Sequence, residues 1–528
     1  MNKSIGFRVP APALRGKSDV DNIGVCARAG GEAKKLLLLI LTLCMLTINA
    51  IAQHKREFRG AWIQCVNGQF QGMSTAKMQE YLTYQLNVLQ RQGVNAIIFQ
   101  VRAECNALYA SQYEPWSRFL TGVQGRAPQP YWDPLQWMIT ECHRRGMELH
   151  AWINPFRAKI KSTGRLANNH VTVLRPGAAF MYDNQLILNP AHQWNRDYIC
   201  TVAADIVRRY DIDGFHIDDY FYPYPVPGQV IPDDRDYAAY NNGIPNKGDW
   251  RRFNVNQFIK QLSDCIHSIK PWVKFGVSPF GIYRNKRNDP FNGSDTNGLQ
   301  NYDELYADVM LWVNNGWIDY CVPQIYWQIG HPTADYQTLI QWWNKYCYNR
   351  PLFIGEDIER TVQFADPFNG SKHQMEAKYR LHNQMRNVHG TVLWYAKASV
   401  DNIGNYGLML EKNYWRYPAL QPRMPFIDGR APERVRNLAP IWTEDGYMLV
   451  WEGPTSRDWR EAAHKDVVYC FAPGEIIDID DPSHIVAITK TPYYKLPYRN
   501  GRTRYTYVVT ALDRMSNESA IAKKKVKL

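Results

Sequence analysis

The chain has 528 residues and a formal net charge of +12, and its lysines and arginines are dispersed rather than clustered. This dispersion argues against nucleic-acid recognition, which uses a continuous basic surface. The ten cysteines form no CxxC pair and have no regular spacing, which argues against a zinc site or a disulfide framework. We expect the cysteines to be buried and to pack as small hydrophobic side chains, although one or two disulfides are compatible with an oxidising compartment.

The first segment, residues 1–52, has the pattern of a secretory signal peptide. Two lysines precede a 16-residue apolar run over 36–51, and an Ala-Ile-Ala tripeptide ends the segment. The run is short for a membrane-spanning helix, although an N-terminal membrane anchor is the alternative. The segment holds seven Lys or Arg and three Asp or Glu, so the remainder carries +8. We expect an exported protein that is periplasmic, associated with the cell envelope or secreted. Its positive charge suits an anionic polymer such as cell-wall glycan, or serves solubility alone.

Beyond this segment, strand-like apolar runs alternate with helical segments. Runs that are apolar on both faces indicate a buried parallel sheet. Eight of them predict an α/β fold, a (β/α)₈ TIM barrel with enlarged loops. An open doubly wound sheet is the alternative, but the turn after the first strand is not glycine-rich. The predicted strands are Phe58–Gln64, Ala96–Val101, Glu148–Asn154, Gly214–Asp218, Lys274–Pro279, Asp319–Trp327, Leu352–Gly355 and Thr391–Tyr395. The predicted helices include Thr75–Gln92, Pro134–Arg145, Asn195–Tyr210 and Asn254–Ile269.

The character of the sequence changes at a proline-rich linker over Pro418–Pro432. Short alternating segments with turn residues between them follow, and they predict a smaller C-terminal β-sandwich. These segments are Tyr447–Trp451, Val467–Phe471, Val486–Thr489 and Tyr505–Ala511. The predicted domains are therefore a signal peptide over 1–52, a barrel over 55–425 and a β-sandwich over 432–528. For the sandwich we expect a packing or spacing role, with glycan binding as the alternative.

Candidate functional residues lie where the predicted barrel strands end, because catalytic groups of such barrels occupy the carboxyl ends of the strands. The fourth strand ends in Asp218 and Asp219, and an aromatic loop follows them. Paired carboxylates serve acid-catalysed sugar hydrolysis, and aromatic rings stack on the apolar faces of sugars. The other strand ends contribute polar and aromatic side chains. We assign substrate binding to Arg102, Trp116, Asn154, Arg157, Tyr220, Gln324, Tyr326, Trp327 and Trp394.

Four strings at these strand ends, WINPFR, DGFHIDDYFYP, GVSPFGIYRN and VPQIYW, resemble the family 10-like glycosyl hydrolase domain of secreted bacterial proteins. The resemblance covers about residues 55–425. It implies a (β/α)₈ fold and hydrolysis of O-glycosyl bonds in cell-wall glycan, in particular peptidoglycan strands stripped of peptides. The segment over 505–513 resembles the penultimate strand of fibronectin type III modules, a common partner of this domain. The chain departs from the family pattern at Glu356 and Asp357, which replace a more neutral segment of the seventh strand.

The carboxylate pair resembles the adjacent acids of family 20 hexosaminidases, in which one acid orients the N-acetyl group and the next protonates the leaving oxygen. By this resemblance, Asp218 orients the substrate and Asp219 is the general acid, with the N-acetyl carbonyl as internal nucleophile. The pair lacks the later acid of the family 18 chitinase signature, because Tyr220 stands at that position. The alternative for Asp219 is capping of a loop or helix.

Other carboxylates are second candidates. Glu104 and Glu114 are candidate catalytic partners, and the alternative for Glu114 is a salt bridge with Arg102 or Arg118 that fixes the loop. Glu356 and Asp357 are alternatives as a nucleophile, although the family does not support that role.

No cofactor or metal is predicted, because the chain has no HExxH motif and no calcium-loop spacing. A metal-dependent hydrolase remains an alternative, and His216 is expected to be a hydrogen-bonded core histidine. The sequence thus predicts an exported glycoside hydrolase that acts on a glycan polymer. The alternative is a catalytically silent glycan-binding module, which would bind polymer without releasing new reducing ends.

Overall fold

The computed structural model describes residues 53–528, so the signal peptide predicted for residues 1–52 lies outside the described residues. Eight parallel strands close into a barrel in which neighbours in sequence are neighbours in space, and the eighth pairs with the first. The predicted TIM barrel is confirmed, and the open sheet is wrong. The barrel strands are β1 (Phe58–Ile63), β2 (Ala96–Arg102), β3 (Glu148–Ile153), β4 (Gly214–Ile217), β5 (Lys274–Val277), β6 (Tyr320–Cys321), β7 (Leu352–Asp357) and β8 (Val388–Trp394).

Helices occupy the connections between the barrel strands. The main ones are α1 (Thr75–Arg91), α2 (Pro134–Arg144), α3 (Gln193–Arg209), α4 (Lys247–Ile269), α5 (Val309–Asn314), α6 (Tyr336–Tyr346), α7 (Met375–Gln384) and α8 (Ala396–Val400). Other helices are Arg118–Thr121, Val171–Leu174, Asp234–Tyr240, Ile358–Gln363 and Tyr406–Met409, with single 3₁₀ or π turns at Pro176–Ala178, Asn301–Leu305, Ile403–Asn405, Leu410–Tyr414 and Pro482–His484. A small antiparallel sheet after β3 consists of Arg157–Lys159, Ala179–Tyr182 and Gln185–Leu188. Helix α4 begins earlier than predicted because Asn246 caps it, accepting a hydrogen bond from the N–H of Asp249 at 3.0 Å.

The sixth strand is much shorter than predicted. The sequence predicts a strand over Asp319–Trp327, but only Tyr320–Cys321 is regular strand. Pro323 has no N–H to donate, so it interrupts the ladder of hydrogen bonds. The chain nevertheless stays beside β5, because the N–H of Gln324 donates to the carbonyl of Pro279 at 2.9 Å. The predicted length is therefore wrong, yet Gln324 still reaches the carboxyl end of the barrel.

A column of hydrogen-bonded polar side chains fills part of the barrel interior. Lys274 Nζ lies 2.6 Å from Glu148, and Glu148 lies 3.0 Å from the ring of His150. The hydroxyl of Tyr320 then joins His150 and His216 at 2.7 and 3.1 Å. Burial lowers the pKa of His216 well below its ordinary value, so the imidazole is neutral. His216 is thus a hydrogen-bonded core histidine, as the sequence analysis expects.

The C-terminal region forms two antiparallel sheets with a shared core. Its strands are β9 (Arg436–Thr443), β10 (Gly446–Glu452), β11 (Lys465–Phe471), β12 (Ile485–Thr489), β13 (Tyr493–Lys495), β14 (Arg504–Leu512) and β15 (Ala522–Lys527). One sheet has the order β9-β10-β13 and the other β12-β11-β14-β15. Leu449 and Trp451 of the first sheet share a buried cluster with Val468 and Val509 of the second. The predicted C-terminal β architecture is confirmed, while its relation to fibronectin type III modules stays a prediction.

These C-terminal sheets lie against the amino ends of the barrel strands. Arg514 pairs with Asp211, just before β4, at 2.9 Å. Lys465 Nζ donates to the carbonyl of Gly146, just before β3, at 3.2 Å. Met515 belongs to the same buried cluster as Phe58 of β1. The C-terminal region therefore covers the end of the barrel opposite to the carboxyl ends of the strands.

Three properties of residues 53–528 bear on the predicted chemistry. The eight cysteines in this range are free thiols, and six of them are buried, the environment expected of small hydrophobic side chains. Within the same range, no group of three or more His, Cys, Asp or Glu side chains is arranged to hold a metal ion. None of the described helices has the length and apolar character needed to cross a bilayer.

Candidate active site

The two candidate carboxylates lie directly beyond the fourth barrel strand. Successive strand side chains alternate between faces, so Asp218 continues the inward direction of His216. Strand β4 ends at Ile217, and Asp219 is therefore free of this alternation. The hydroxyl of Tyr224 donates a hydrogen bond to Asp219 Oδ2. Both carboxylates are almost completely buried, Asp218 with 4% and Asp219 with 1% of its surface exposed.

A chain of amide groups orients Asp218. Asn154 Nδ2 donates to Asp218 Oδ2 at 2.8 Å, and Gln100 Nε2 donates to Asn154 Oδ1 at 2.8 Å. Gln100 in turn accepts a hydrogen bond from the N–H of Cys65 at 3.0 Å. The chain runs from the end of β1 to the end of β4, and it fixes which amide atom faces the carboxylate. Gln100 is not among the predicted site residues, although its position at the inward end of β2 signals such a role.

The remaining oxygen of Asp218 is free to meet a ligand. Asp218 Oδ1 is buried and has no hydrogen-bond partner among the described residues. The indole Nε1 of Trp152, two residues before Asn154, also has no partner within normal hydrogen-bond geometry in the described structure, yet it interacts with Asp218 and lowers the pKa of that carboxyl. Buried polar atoms of folded proteins are almost always well paired, so an acceptor and a donor that lack a well-formed hydrogen bond at the barrel mouth indicate a place for a polar substrate group.

The environment raises the pKa of both carboxylates. Burial, together with the negative charge of Asp219, raises the pKa of Asp218 to about 8, and the positive charge of Arg157 opposes this. Burial also raises the pKa of Asp219, and the hydrogen bond from Tyr224 opposes it. Because two adjacent buried carboxylates do not readily ionise together, the pair holds a proton near neutral pH.

We expect the Asp218→Asn variant to be more stable than the unmodified protein, by an amount that grows with pH. In the unfolded chain an aspartate ionises near pH 3.9, whereas folded Asp218 keeps its proton until about pH 8. The contribution of Asp218 to folding stability is thus fully present below about pH 4 and is lost progressively as the pH rises to about 8. Asparagine removes this loss, so the gain in Tm should be larger at pH 8 than at pH 5. An equal shift at both pH values contradicts the raised pKa, and Asp264→Asn on the exposed face of α4 is the control.

Arg157 and two tyrosines form one wall of the site. The Arg157 guanidinium lies 3.7 Å from the centroid of the Tyr220 ring, and Tyr220 stacks on Tyr224 at 5.6 Å. Phe280 contacts Tyr224 edge-on at 5.9 Å and contacts Trp327 at 5.4 Å, so Trp327 joins the same wall indirectly. A cavity of about 270 Å³ lies beside this wall and is lined by both Arg157 and Tyr220.

A second group of aromatic rings surrounds the mouth of the barrel. The Trp394 ring lies 6.1 Å from Tyr326, nearly parallel to it, and contacts Trp62 and Trp152 edge-on at 6.1 and 6.4 Å. Gln324 lies beside this group, where its Nε2 donates to the carbonyl of Ser278 at 2.9 Å. Flat rings next to amide groups match sugars, which have apolar faces and hydroxyl edges.

Two open grooves flank the loop after β1, residues 64–74. One has a volume of about 530 Å³, and its lining includes Tyr81, Trp394 and Lys397. The other, of about 760 Å³, has Arg118 in its lining. Trp394 connects the first groove with the aromatic group at the barrel mouth. These volumes lie within the usual range of ligand sites.

Glu114 and Arg102 form a buried ion pair with each other. Arg102 Nε lies 3.0 and 2.8 Å from the two oxygens of Glu114, and both side chains are fully buried. Tyr198 donates to the same carboxylate at 2.9 Å. Arg102 also holds the backbone carbonyl of Asn154. Both side chains thus have partners that fix the loop and position Asn154, which matches the salt bridge weighed in the sequence analysis; a catalytic role for Glu114 stays a prediction.

Glu104 and Trp116 also have structural partners. Glu104 lies 3.0 Å from Arg118 and accepts a hydrogen bond from Thr163 at 2.9 Å. Trp116 contacts the exposed ring of Tyr131 edge-on at 6.1 Å, away from the rings around Trp394. The structure therefore does not bring Trp116 into the aromatic group at the barrel mouth, and the role assigned to Glu104 stays a prediction.

The two acids of the seventh strand point in different directions. Glu356 faces outward, where Lys378 Nζ lies 2.6 Å away and Thr361 donates a hydrogen bond to the same oxygen. Asp357 caps the helix Ile358–Gln363 and accepts from the N–H of Arg360 at 3.0 Å. Both acids therefore have structural partners, and a nucleophilic role for either stays a prediction.

Comparisons with known proteins identify the family of this chain. The family model described as glycosyl hydrolase-like 10 matches residues 57–367. The glycosyl hydrolase YngK of Bacillus subtilis is 35% identical over 492 residues, covering 90% of this chain and 95% of the relative. The glycosyl hydrolase DigH of Escherichia coli is 36% identical over 333 residues, covering 60% of this chain and 75% of the relative. Among solved structures, α-L-fucosidase isoenzyme 2 of Paenibacillus thiaminolyticus has a TM-score of 0.43 at 14% identity, covering 67% of this chain and 49% of that one. On the family match and the extent of the YngK alignment, the chain belongs to the glycosyl hydrolase-like 10 family.

Proposed function

We propose that the protein is an exported glycoside hydrolase that cleaves bacterial cell-wall glycan carrying N-acetyl groups, such as peptidoglycan strands freed of peptides. The observation that carries the proposal is the buried pair of Asp218 and Asp219, which holds a proton and leaves Asp218 Oδ1 unpaired at the barrel mouth. Membership of a glycosyl hydrolase-like family supports a glycan as the substrate class.

In the proposed reaction, Asp219 donates its proton to the oxygen of the glycosidic bond as that bond breaks. The carbonyl oxygen of the substrate's own N-acetyl group forms the new bond to the anomeric carbon, so no protein nucleophile is needed. Water then attacks this carbon as its bond to the N-acetyl carbonyl oxygen breaks, and the water gives a proton back to Asp219, which restores both the enzyme and the acetamide. Substrate assistance of this kind fits a rim on which Glu356 already pairs with Lys378.

Asp218 orients the N-acetyl group in this scheme. The N–H of the acetamide donates to Asp218 Oδ1, and this hydrogen bond favours the ionised form of Asp218. The proton of the pair then belongs to Asp219, where the leaving oxygen needs it. The fixed amide of Asn154 supports the orientation of Asp218, because it holds the other carboxylate oxygen at 2.8 Å.

Sugar rings on either side of the scissile bond are proposed to bind the two aromatic walls. Trp394 and Tyr326 offer stacking surfaces on one side, and Tyr220 with Arg157 forms the other. Gln324 is proposed to hydrogen-bond sugar hydroxyl or acetamido groups.

The test is digestion of peptide-free glycan strands and of chitooligosaccharides by the purified protein, with reducing ends counted and products identified by mass. We expect new reducing ends from glycan strands, and unchanged activity in the presence of a chelator. Binding of the strands without any new reducing ends supports a catalytically silent module instead. Loss of activity with the chelator contradicts the metal-free scheme.

A further inference from the structure

Three aromatic side chains form an exposed cluster on the C-terminal sheets, far in the fold from the barrel mouth. Trp442 of β9 stacks on Tyr447 of β10 with ring centroids 4.7 Å apart. Tyr498, after β13, meets both rings edge-on at 5.0 and 5.6 Å. Trp442 is 63% exposed and Tyr498 is 45% exposed. We refer to these three residues as the aromatic platform.

The platform is held by regular structure. Trp442 lies opposite Tyr447 in the antiparallel pair of β9 and β10, which a tight turn connects. The N–H of Leu496 donates to the carbonyl of Tyr447 at 2.9 Å, so the segment leading to Tyr498 is attached to the same sheet. Rings fixed in this way lose little conformational freedom when a ligand stacks on them.

Positive side chains border the platform. Lys495 lies beside Gly446, since a Cβ added to that glycine would be 3.4 Å from its Cε. Arg499 and Arg502 belong to the loop after Tyr498, and residues 482–512 contain no Asp or Glu. None of these three cations forms an ion pair with any residue in 53–528, and all three are exposed. The turn before Gly446 carries two exposed acids, Glu444 and Asp445, which offset part of the positive charge of these three side chains.

We propose that the aromatic platform is a second polysaccharide-binding site, selective for amino-sugar polymers that bear carboxylates. Contiguous exposed apolar patches are uncommon on soluble proteins and mark interaction sites, whereas single exposed apolar side chains do not. The free face of Trp442 suits the apolar face of a sugar ring, and the bordering cations match a carboxylate. This choice of polymer rests on the proposed function. The proposed substrate, glycan freed of peptides, carries lactyl carboxylates on alternate sugars.

The platform adds affinity for long polymers and leaves the chemical step unchanged. It belongs to the region that covers the amino ends of the barrel strands, so it does not line the catalytic mouth. Attachment to an insoluble polymer raises the local concentration of substrate at the barrel. Short soluble oligosaccharides gain nothing from such attachment.

The test compares binding and cleavage in separate assays. Binding to insoluble peptide-free glycan is measured by sedimentation in the Asp219→Asn background, so that the polymer is not consumed. We expect Trp442→Ala with Tyr498→Ala to weaken binding about tenfold or more, a loss of at least about 1.4 kcal/mol. Arg499→Gln with Arg502→Gln should weaken binding to this polymer more than binding to neutral chitin. Tyr348→Ala, which removes an aromatic side chain of similar exposure from the barrel surface, is the control and should bind normally.

Cleavage distinguishes this inference from the proposed function. In the active protein, the platform variants should hydrolyse soluble oligosaccharides at the normal rate and insoluble polymer several-fold more slowly. Unchanged sedimentation of the Trp442→Ala, Tyr498→Ala variant overturns the platform, even if the protein cleaves glycan. If binding depends on the platform residues but the unmodified protein cleaves no glycan, the proposed function is wrong and the inference about the platform stands. The assignment to polysaccharide is also wrong if loss of Trp442 weakens binding to vesicles of anionic lipid as much as it weakens binding to glycan.

Discussion

The Asp219→Asn variant should hydrolyse peptide-free glycan with a turnover number about 10²–10⁴-fold lower than the unmodified protein, the usual contribution of a general acid. Asparagine keeps the size of the side chain and can still accept the hydrogen bond from Tyr224, but it has no acidic proton to transfer to the leaving oxygen. The protein should therefore remain folded with nearly unchanged KM. The measurement is release of reducing ends under steady-state conditions, together with a thermal melt.

The matched control is Asp264→Asn, and Asp218→Asn is a second test of the carboxylate pair. Asp218→Asn should also lose activity, because asparagine cannot become the anion that holds the substrate N–H in the proposed scheme. Asp264 pairs with Lys260 on the exposed face of α4, and its replacement should leave turnover unchanged. Near-normal turnover in both the 218 and 219 variants contradicts the assignment of the pair.

The Glu114→Gln variant should lose about 3–5 kcal/mol of unfolding free energy, the typical cost of breaking a buried ion pair. The change leaves the fully buried guanidinium of Arg102 without its anion. Because Arg102 also holds the backbone of Asn154, turnover of the folded fraction should fall only modestly, through loosened positioning. Unfolding in urea measures the free energy, and turnover is measured under conditions where the variant is folded.

A catalytic role for Glu114 predicts the opposite pattern, with normal stability and turnover reduced at least about 10²-fold. Glu376→Gln is the control for loss of an ion pair. Glu376 pairs with Arg380 four residues along α7, and both side chains are about half exposed. Breaking such a surface pair should cost at most about 0.5 kcal/mol.

The barrel could be predicted from local patterns because each strand is buried on both faces and therefore reads as a continuous apolar run. All eight strands occur where such runs occur, from Phe58–Ile63 to Val388–Trp394. The sixth strand is shorter than its apolar run, because a hydropathy pattern does not show that Pro323 lacks a backbone N–H donor. The C-terminal sheets were harder to delimit, since the edge strands Arg436–Thr443 and Ala522–Lys527 are largely exposed and carry no clear apolar alternation.

The candidate site was only partly predictable. Asp218 and Asp219 stand out because they end a strand, which is where barrel chemistry lies. Gln100 was missed because it sits inside an apolar strand segment, and its hydrogen bond to Asn154 depends on a neighbouring strand. Glu104 and Glu114 lie in a loop, and although a salt bridge of Glu114 with Arg102 or Arg118 was an alternative, no local pattern specifies which arginine pairs with which glutamate.

Three features follow from the amino-acid sequence alone: the class of fold, the end of the barrel at which polar and aromatic groups collect, and the carboxylate pair after its fourth strand. These are local properties, set by hydrophobic periodicity and by the position of a residue relative to a strand end. Which carboxylates have a cationic partner depends on the tertiary structure. Glu114 and Glu356 pair with Arg102 and Lys378, whereas one oxygen of Asp218 has no well-formed hydrogen bond among the described residues. The reason is that pairing and desolvation depend on residues distant in the chain, and these set both the charge and the accessibility of a buried acid.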